Sequence, residues 1–189
     1  MITDTHLLFS HIIYKEILRD TKFKLDKIKF ALGNIKPDFS NKEMECPHTL
    51  NESLESLIQY ADGVIKSSIS VEEFSISLGV ICHYICDYFC LYHREGNEKK
   101  GILEHFIYEL KLEYNFIVLL FNGRLDNTSS HIHGYSIEEI VLNIEKEYNI
   151  KMKGVSRDIN YALNAAMEVS KLIVYSSMLY NEKYKLECS

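Results

Sequence analysis

A chain of 189 residues with 47% hydrophobic and 25% charged side chains has the balance of a folded globular protein, long enough to bury a core without disulfides. Two prolines and eight glycines are too few for a loop-rich all-β domain, and 27 acidic against 21 basic residues, a net charge of −6, argue against a surface built to hold nucleic acid. The compositional excess is histidine, with eight copies.

The first residues, Met1 to His6, carry no basic stretch ahead of an apolar one, and no apolar run is long enough to span a bilayer. The expectation is a cytoplasmic protein with no transmembrane segment, its five cysteines held as thiols. Thr5 stands where it can cap a first helix whose apolar face is Leu7, Leu8, Ile12, Ile13, Ile17 and Leu18. A short helix over residues 23–32 is expected to stop at Gly33-Asn34, with Pro37 enforcing the exit. Residues 33–49, crowded with Gly, Asn, Pro, Asp and Ser, read as a loop. A third helix starts at Thr49 or Asn51 and runs to about residue 67.

Ser70-Val71-Glu72-Glu73 is a capping box that opens a long helix through about Tyr92. A turn over residues 94–101 leads to a helix over 102–121, and the polar stretch 122–134, with His131 and His133, reads as a surface loop. A second capping box, Ser136 to Glu139, begins a helix to Tyr148, and a last helix covers 155–183. No segment alternates with period 2 and none repeats. The reading is one all-α domain over residues 1–189, of about seven helices, with those at 70–93 and 102–121 packed side by side.

Cys82, Cys86 and Cys90 recur every fourth residue along one helical stripe and are read as small buried hydrophobes. His83 and Asp87 share a helix face at i, i+4, where both can reach one ion. His93 follows near the helix end, and His105 and Glu109 repeat the i, i+4 spacing on the next helix. Imidazole and carboxylate together suit zinc and similar divalent ions. A single such pair occurs by chance in a chain with this many histidines and acids, and His48 with Glu52 is read as one, Glu52 being incidental. The tandem array, with Asp38 and His48 upstream, is what carries the signal.

The array His83-x3-Asp87-x5-His93-x11-His105-x3-Glu109, preceded by Thr5-His6, Pro37-Asp38 and His48, resembles the bacterial zinc-dependent phospholipase C family, which includes clostridial alpha-toxin and bacillus phosphatidylcholine-hydrolysing enzymes. The likeness covers residues 5 to 109. It implies an all-α catalytic domain with two or three zinc ions in a cleft between helices. Asp38, His48, His83 and Asp87 would hold one ion; His93, His105 and Glu109 a second; His6 and a bridging Asp87 a third. In the family an N-terminal tryptophan completes that third site. Here the chain begins with Met1 and has no tryptophan, so the Met1 backbone takes that place, or water does, or the site fills in part.

The implied activity is hydrolysis of a phosphodiester, a phospholipid or a soluble one, by a zinc-activated water, releasing diacylglycerol and a phosphorylated headgroup from a lipid substrate. Asp38 would be the general base. Phe39 follows it where the relatives carry a tyrosine beside the choline headgroup; its ring could hold a quaternary ammonium by cation–π attraction, the competing reading being plain packing. His11, out of step with His6, is left as a surface or core histidine. Two other functions stay open: a nuclease of the related P1 type, disfavoured by the acidic charge and the ligand spacing, and a non-catalytic helical zinc-binding protein.

Overall fold

The computed structural model describes residues 1–39, 44, 46–94, 101–123 and 136–187, with side chains through Glu182. Among them are seven α-helices and no strand: α1 Thr3–Thr21, α2 Lys27–Phe39, α3 Leu50–Lys66, α4 Val71–Tyr88, α5 Ile102–Phe121, α6 Ile137–Ile150 and α7 Val155–Glu187. The all-α expectation is met. His131 and His133 lie outside the described residues.

Local chemistry accounts for most of the boundaries. Ser70 Oγ accepts from Glu73 N at 3.1 Å while Glu73 Oε2 accepts from Ser70 N at 3.0 Å, so the predicted capping box starts α4. Ser136 Oγ accepts from Glu139 N at 3.1 Å and starts α6. At the head of α2, Asp26 Oδ1 accepts from Lys29 N at 2.9 Å. The first helix begins at Thr3, so Thr5 is not its cap but a buried residue of its first turn.

The main correction concerns α2. It does not stop at Gly33-Asn34 but runs on to Phe39, carrying Asp38 on a helical last turn and not on a loop. The reason is tertiary. A Cβ built on Gly33 would stand 2.1 Å from Ile76 O, and one on Gly79 2.4 Å from Phe30 O, so both glycines serve the close crossing of α2 and α4. Pro37 removes only one hydrogen bond of the ladder, in the last turn, and its ring is buried. Gly79→Ala is therefore expected to cost about 1–3 kcal/mol or more, and to push Asn34 and Asp38 away from α4. Urea denaturation of the variant measures the first effect and its zinc content the second.

Helix α4 is the centre of the bundle: every residue from Leu78 to Tyr88 is buried. It packs on α2, α3 and α7, with a smaller contact to α1, while α5 lies chiefly on α7 and α1. The two ligand-bearing helices are thus not side by side as expected, because the flanks of α4 are already taken. The chain leaves α4 at Tyr88, four residues before the predicted end, and makes a 3₁₀ turn, Leu91–His93, that swings His93 toward α5.

Candidate metal centre

Asp87, on the last turn of α4 and 1% exposed, is the hub. Its Oδ1 lies 2.6 Å from the Met1 amino nitrogen and 3.3 Å from His6 Nε2. Its Oδ2 lies 2.8 Å from His48 Nδ1, 3.3 Å from His83 Nε2 and 3.7 Å from His93 Nδ1. One carboxylate therefore meets groups brought by α1, the segment before α3, α4 itself and the 3₁₀ turn.

His83 tells what this space wants. Its Nδ1 is 2.8 Å from the backbone oxygen of Asn34. A carbonyl only accepts, so Nδ1 carries a proton, and it is Nε2 that would present the lone pair of the neutral tautomer. That lone pair faces His48 Nδ1 at 3.2 Å, Asp87 Oδ2 at 3.3 Å and Asp38 Oδ1 at 3.7 Å. Four nitrogen and oxygen ligands bound to zinc at about 2.0–2.1 Å stand about 3.3–3.4 Å apart at tetrahedral edges. Among the described residues, three sets bring one ligand atom each within 4.8 Å of one another: His6, His83 and Asp87; His48, Asp87 and His93; and Cys90, His93 and Glu109. The Asn34 contact fixes the His83 ring by the kind of hydrogen bond to a backbone carbonyl that orients a metal-binding histidine.

His6 points the same way. It is fully buried, stacks on the His83 ring at 4.0 Å between centroids, and makes no well-aligned hydrogen bond at either ring nitrogen, its nearest polar neighbour being Asp87 Oδ1 at 3.3 Å from Nε2. Burial, then the neighbouring His83, pushes its pKa down to about 3, so it is neutral and its free nitrogen is suited to a cation. Burial opposes the charge on Asp87, but its positive neighbours, led by His93 and the chain's amino group, outweigh it and hold the carboxyl well below its usual range.

The second group gathers across the cleft. Glu109 Oε1 lies 2.9 Å from His105 Nε2, 3.4 Å from His93 Nε2 and 3.2 Å from the Met1 nitrogen. Burial disfavours the Glu109 anion, yet the hydrogen bond to His93 and the nearby amino group bring its pKa down to about 2. Burial likewise opposes the Met1 ammonium, and Asp87, Cys90 and Glu109 together raise it to about 12. The chain's own cation thus sits where the carboxylates converge, as expected of a pocket whose field favours positive charge.

Of the eight side chains singled out from the sequence, His6, His48, His83, Asp87, His93 and Glu109 fall in these groups, whereas Asp38 and His105 fall in none and meet the cluster only at its edge, through His83 at 3.7 Å and Glu109 at 2.9 Å. Asp38 stands on the last turn of α2, with Thr3 Oγ donating to its Oδ2 at 2.9 Å. Phe39, at the end of α2 and next to the undescribed residues 40–43, is 74% exposed. His11 is exposed, and Glu52 accepts from Thr49 Oγ at 2.5 Å, away from the cluster, as an incidental match should.

Four participants were not legible beforehand. Asn34 and Thr3 orient His83 and Asp38 through contacts that no local motif announces. Cys90, read as filler, is fully buried and brings its Sγ within 4.8 Å of ligand atoms of both His93 and Glu109. Its spacing three residues before His93 was the available signal. Asp158 is the fourth: it accepts from Leu91 N at 2.9 Å, Tyr108 Oη at 2.5 Å and Tyr148 Oη at 2.8 Å. It thereby ties the 3₁₀ turn bearing His93 to the α5 helix bearing His105 and Glu109.

A family model described as zinc dependent phospholipase C matches residues 5–163. No curated protein and no solved structure matches the chain.

Proposed function

Because the chain belongs to the zinc-dependent phospholipase C family, we propose that it is a metal-dependent phosphodiester hydrolase that cuts a phospholipid between glycerol and phosphate, releasing diacylglycerol and a phosphorylated headgroup. The observation that carries this reading is the His83 lone pair, fixed by Asn34 and aimed at Asp87, Asp38 and His48. Asp38, His48, His83 and Asp87 would hold one zinc ion, His93, His105 and Glu109 a second, and His6, Asp87 and the Met1 backbone a third. When bound, such ions polarise a phosphodiester, lower the pKa of a water and steady the leaving oxygen.

Asp38 is the residue assigned to proton transfer. Its Oδ1 turns toward the cluster and would be the ligand atom, while Oδ2, which accepts from Thr3 and keeps a second lone pair, would take the proton of an attacking water. Phe39, next in sequence and open to solvent, is assigned to the headgroup.

The outer side of α5 favours a lipid over a soluble substrate. The inner face of this helix carries Glu109, Leu112 and Phe116 into the fold, while Ile102, Leu103, Phe106, Tyr114 and Phe121 stand 50% to 91% exposed. Surface helices are ordinarily polar on their outer side, and an exposed apolar stripe marks a surface that meets something apolar. Among the described residues no helix is long and apolar enough to cross a membrane. Such a stripe suits contact with a lipid surface from one side.

The test is metal analysis of the purified protein followed by a substrate panel: phosphatidylcholine vesicles, a soluble chromogenic phosphocholine diester and single-stranded nucleic acid. Hydrolysis of vesicle lipid in preference to the soluble diester is expected, lost with a chelator and regained with zinc. Full turnover in excess chelator would remove the metal mechanism. Metal without turnover on any substrate would leave a zinc-binding protein, and preference for nucleic acid would assign the nuclease reading instead.

A further inference from the structure

We propose that the Cys90 thiolate is a ligand of the ion held by His93 and Glu109, making that site a mixed sulfur, nitrogen and oxygen centre. The proposal rests on the metal reading above and adds a residue to it. Three observations support it. Cys90 Sγ, a His93 ring nitrogen and a Glu109 carboxylate oxygen all lie within 4.8 Å of one another. Tetrahedral zinc, with Zn–S about 2.3 Å and Zn–N about 2.0–2.1 Å, spaces such atoms by about 3.5 Å, so a modest side-chain adjustment on metal entry closes the set. Cys90 is also fully buried, the N-cap of the 3₁₀ turn that ends in His93, so thiol and imidazole are carried by one rigid short element.

The other described cysteines set the contrast. Cys82 Sγ lies 3.0 Å from Ser170 Oγ, and Cys86 Sγ faces the Ala162 carbonyl, so both turn toward α7. Cys46 lies among Tyr84 and Ser53. Only Cys90, among the described cysteines, joins a metal-capable group. Ligation breaks the S–H bond, leaves its electron pair on sulfur for the metal and releases the proton to solvent.

Charge and coordination number give the chemical consequence. With His93, His105 and Glu109 as ligands the site carries one negative charge against a divalent ion; the thiolate supplies a second and neutralises it. His105 lies outside this group and reaches it through Glu109 at 2.9 Å, so Cys90, His93 and Glu109 leave the fourth position of a tetrahedral ion to His105 or a water. A soft thiolate further biases the site toward zinc over magnesium or calcium.

The experiment replaces zinc by cobalt in the full chain and records the near-ultraviolet thiolate-to-cobalt charge-transfer band. The wild type is expected to show it, Cys90→Ala to lose it with at least one ion fewer, and Cys86→Ala to keep it. A ¹¹³Cd resonance in the thiolate-shifted range gives the same answer on wild type alone, should Cys90→Ala not fold. Stoichiometric cobalt without the band, or a band that survives Cys90→Ala, overturns the proposal while leaving the metal centre standing. A wild type that takes up no cobalt or cadmium overturns both.

Discussion

Asp87→Ala is expected to strip the protein of most of its zinc and to destabilise it more than loss of any other single ligand. The carboxylate is 1% exposed and stands between the Met1 ammonium at 2.6 Å and His48 at 2.8 Å, with His6, His83 and His93 within 3.7 Å. Removing one partner of a buried ionic group leaves the rest uncompensated, at a cost of about 3–5 kcal/mol. Because its two oxygens would serve two ions, the metal loss and the destabilisation should come together. Glu109, 11% exposed at its side chain, would serve one ion, and Glu109→Ala should cost one. His6→Ala should empty the third position alone. Zinc stoichiometry of the three variants, beside their denaturation midpoints, checks the order; wild-type zinc content in Asp87→Ala would mean that it bridges nothing.

The second large effect is expected from Asp38→Asn, which should keep most of the metal and lose about 10²–10⁴-fold in turnover, the usual range for a lost general base. Asp38 sits at the rim, its Oδ1 3.7 Å from His83 Nε2, so His48, His83 and Asp87 remain to hold the ion. The amide keeps the shape and can still accept from Thr3, but it cannot take a proton. If the loss falls on kcat with zinc content unchanged, the base assignment stands. Equal loss of zinc and of turnover would make Asp38 a ligand only, and wild-type turnover would take it out of the chemistry.

Asp158 connects these effects to the fold. It lies on α7, yet it fixes the backbone of Leu91 and the hydroxyl of Tyr108, and through them His93 and α5. Helix α5 packs chiefly on α7 and α1 and at most weakly on α4, so this anchor helps hold Glu109 beside His93. A carboxylate followed by helical sequence shows nothing of this in isolation, since its partners come from three separate segments.

What the chain determines locally was readable without a structure. Ser70 with Glu73 and Ser136 with Glu139 set helix starts because a cap is a contact within one turn. The i, i+4 pairs His83–Asp87 and His105–Glu109 were readable for the same reason, since helix geometry alone puts them on one face. What crosses between helices was not. Gly33 has the appearance of a helix stop, and only the α4 backbone that fills the space its Cβ would occupy keeps it inside α2. Cys90 belongs to a repeating cysteine stripe, and only the turn after Tyr88 rotates it away from the direction of Cys82 and Cys86 toward Glu109. Hydrogen bonds and caps within a turn are encoded by neighbours in sequence, whereas the direction of a buried side chain is set by whichever helix packs over it.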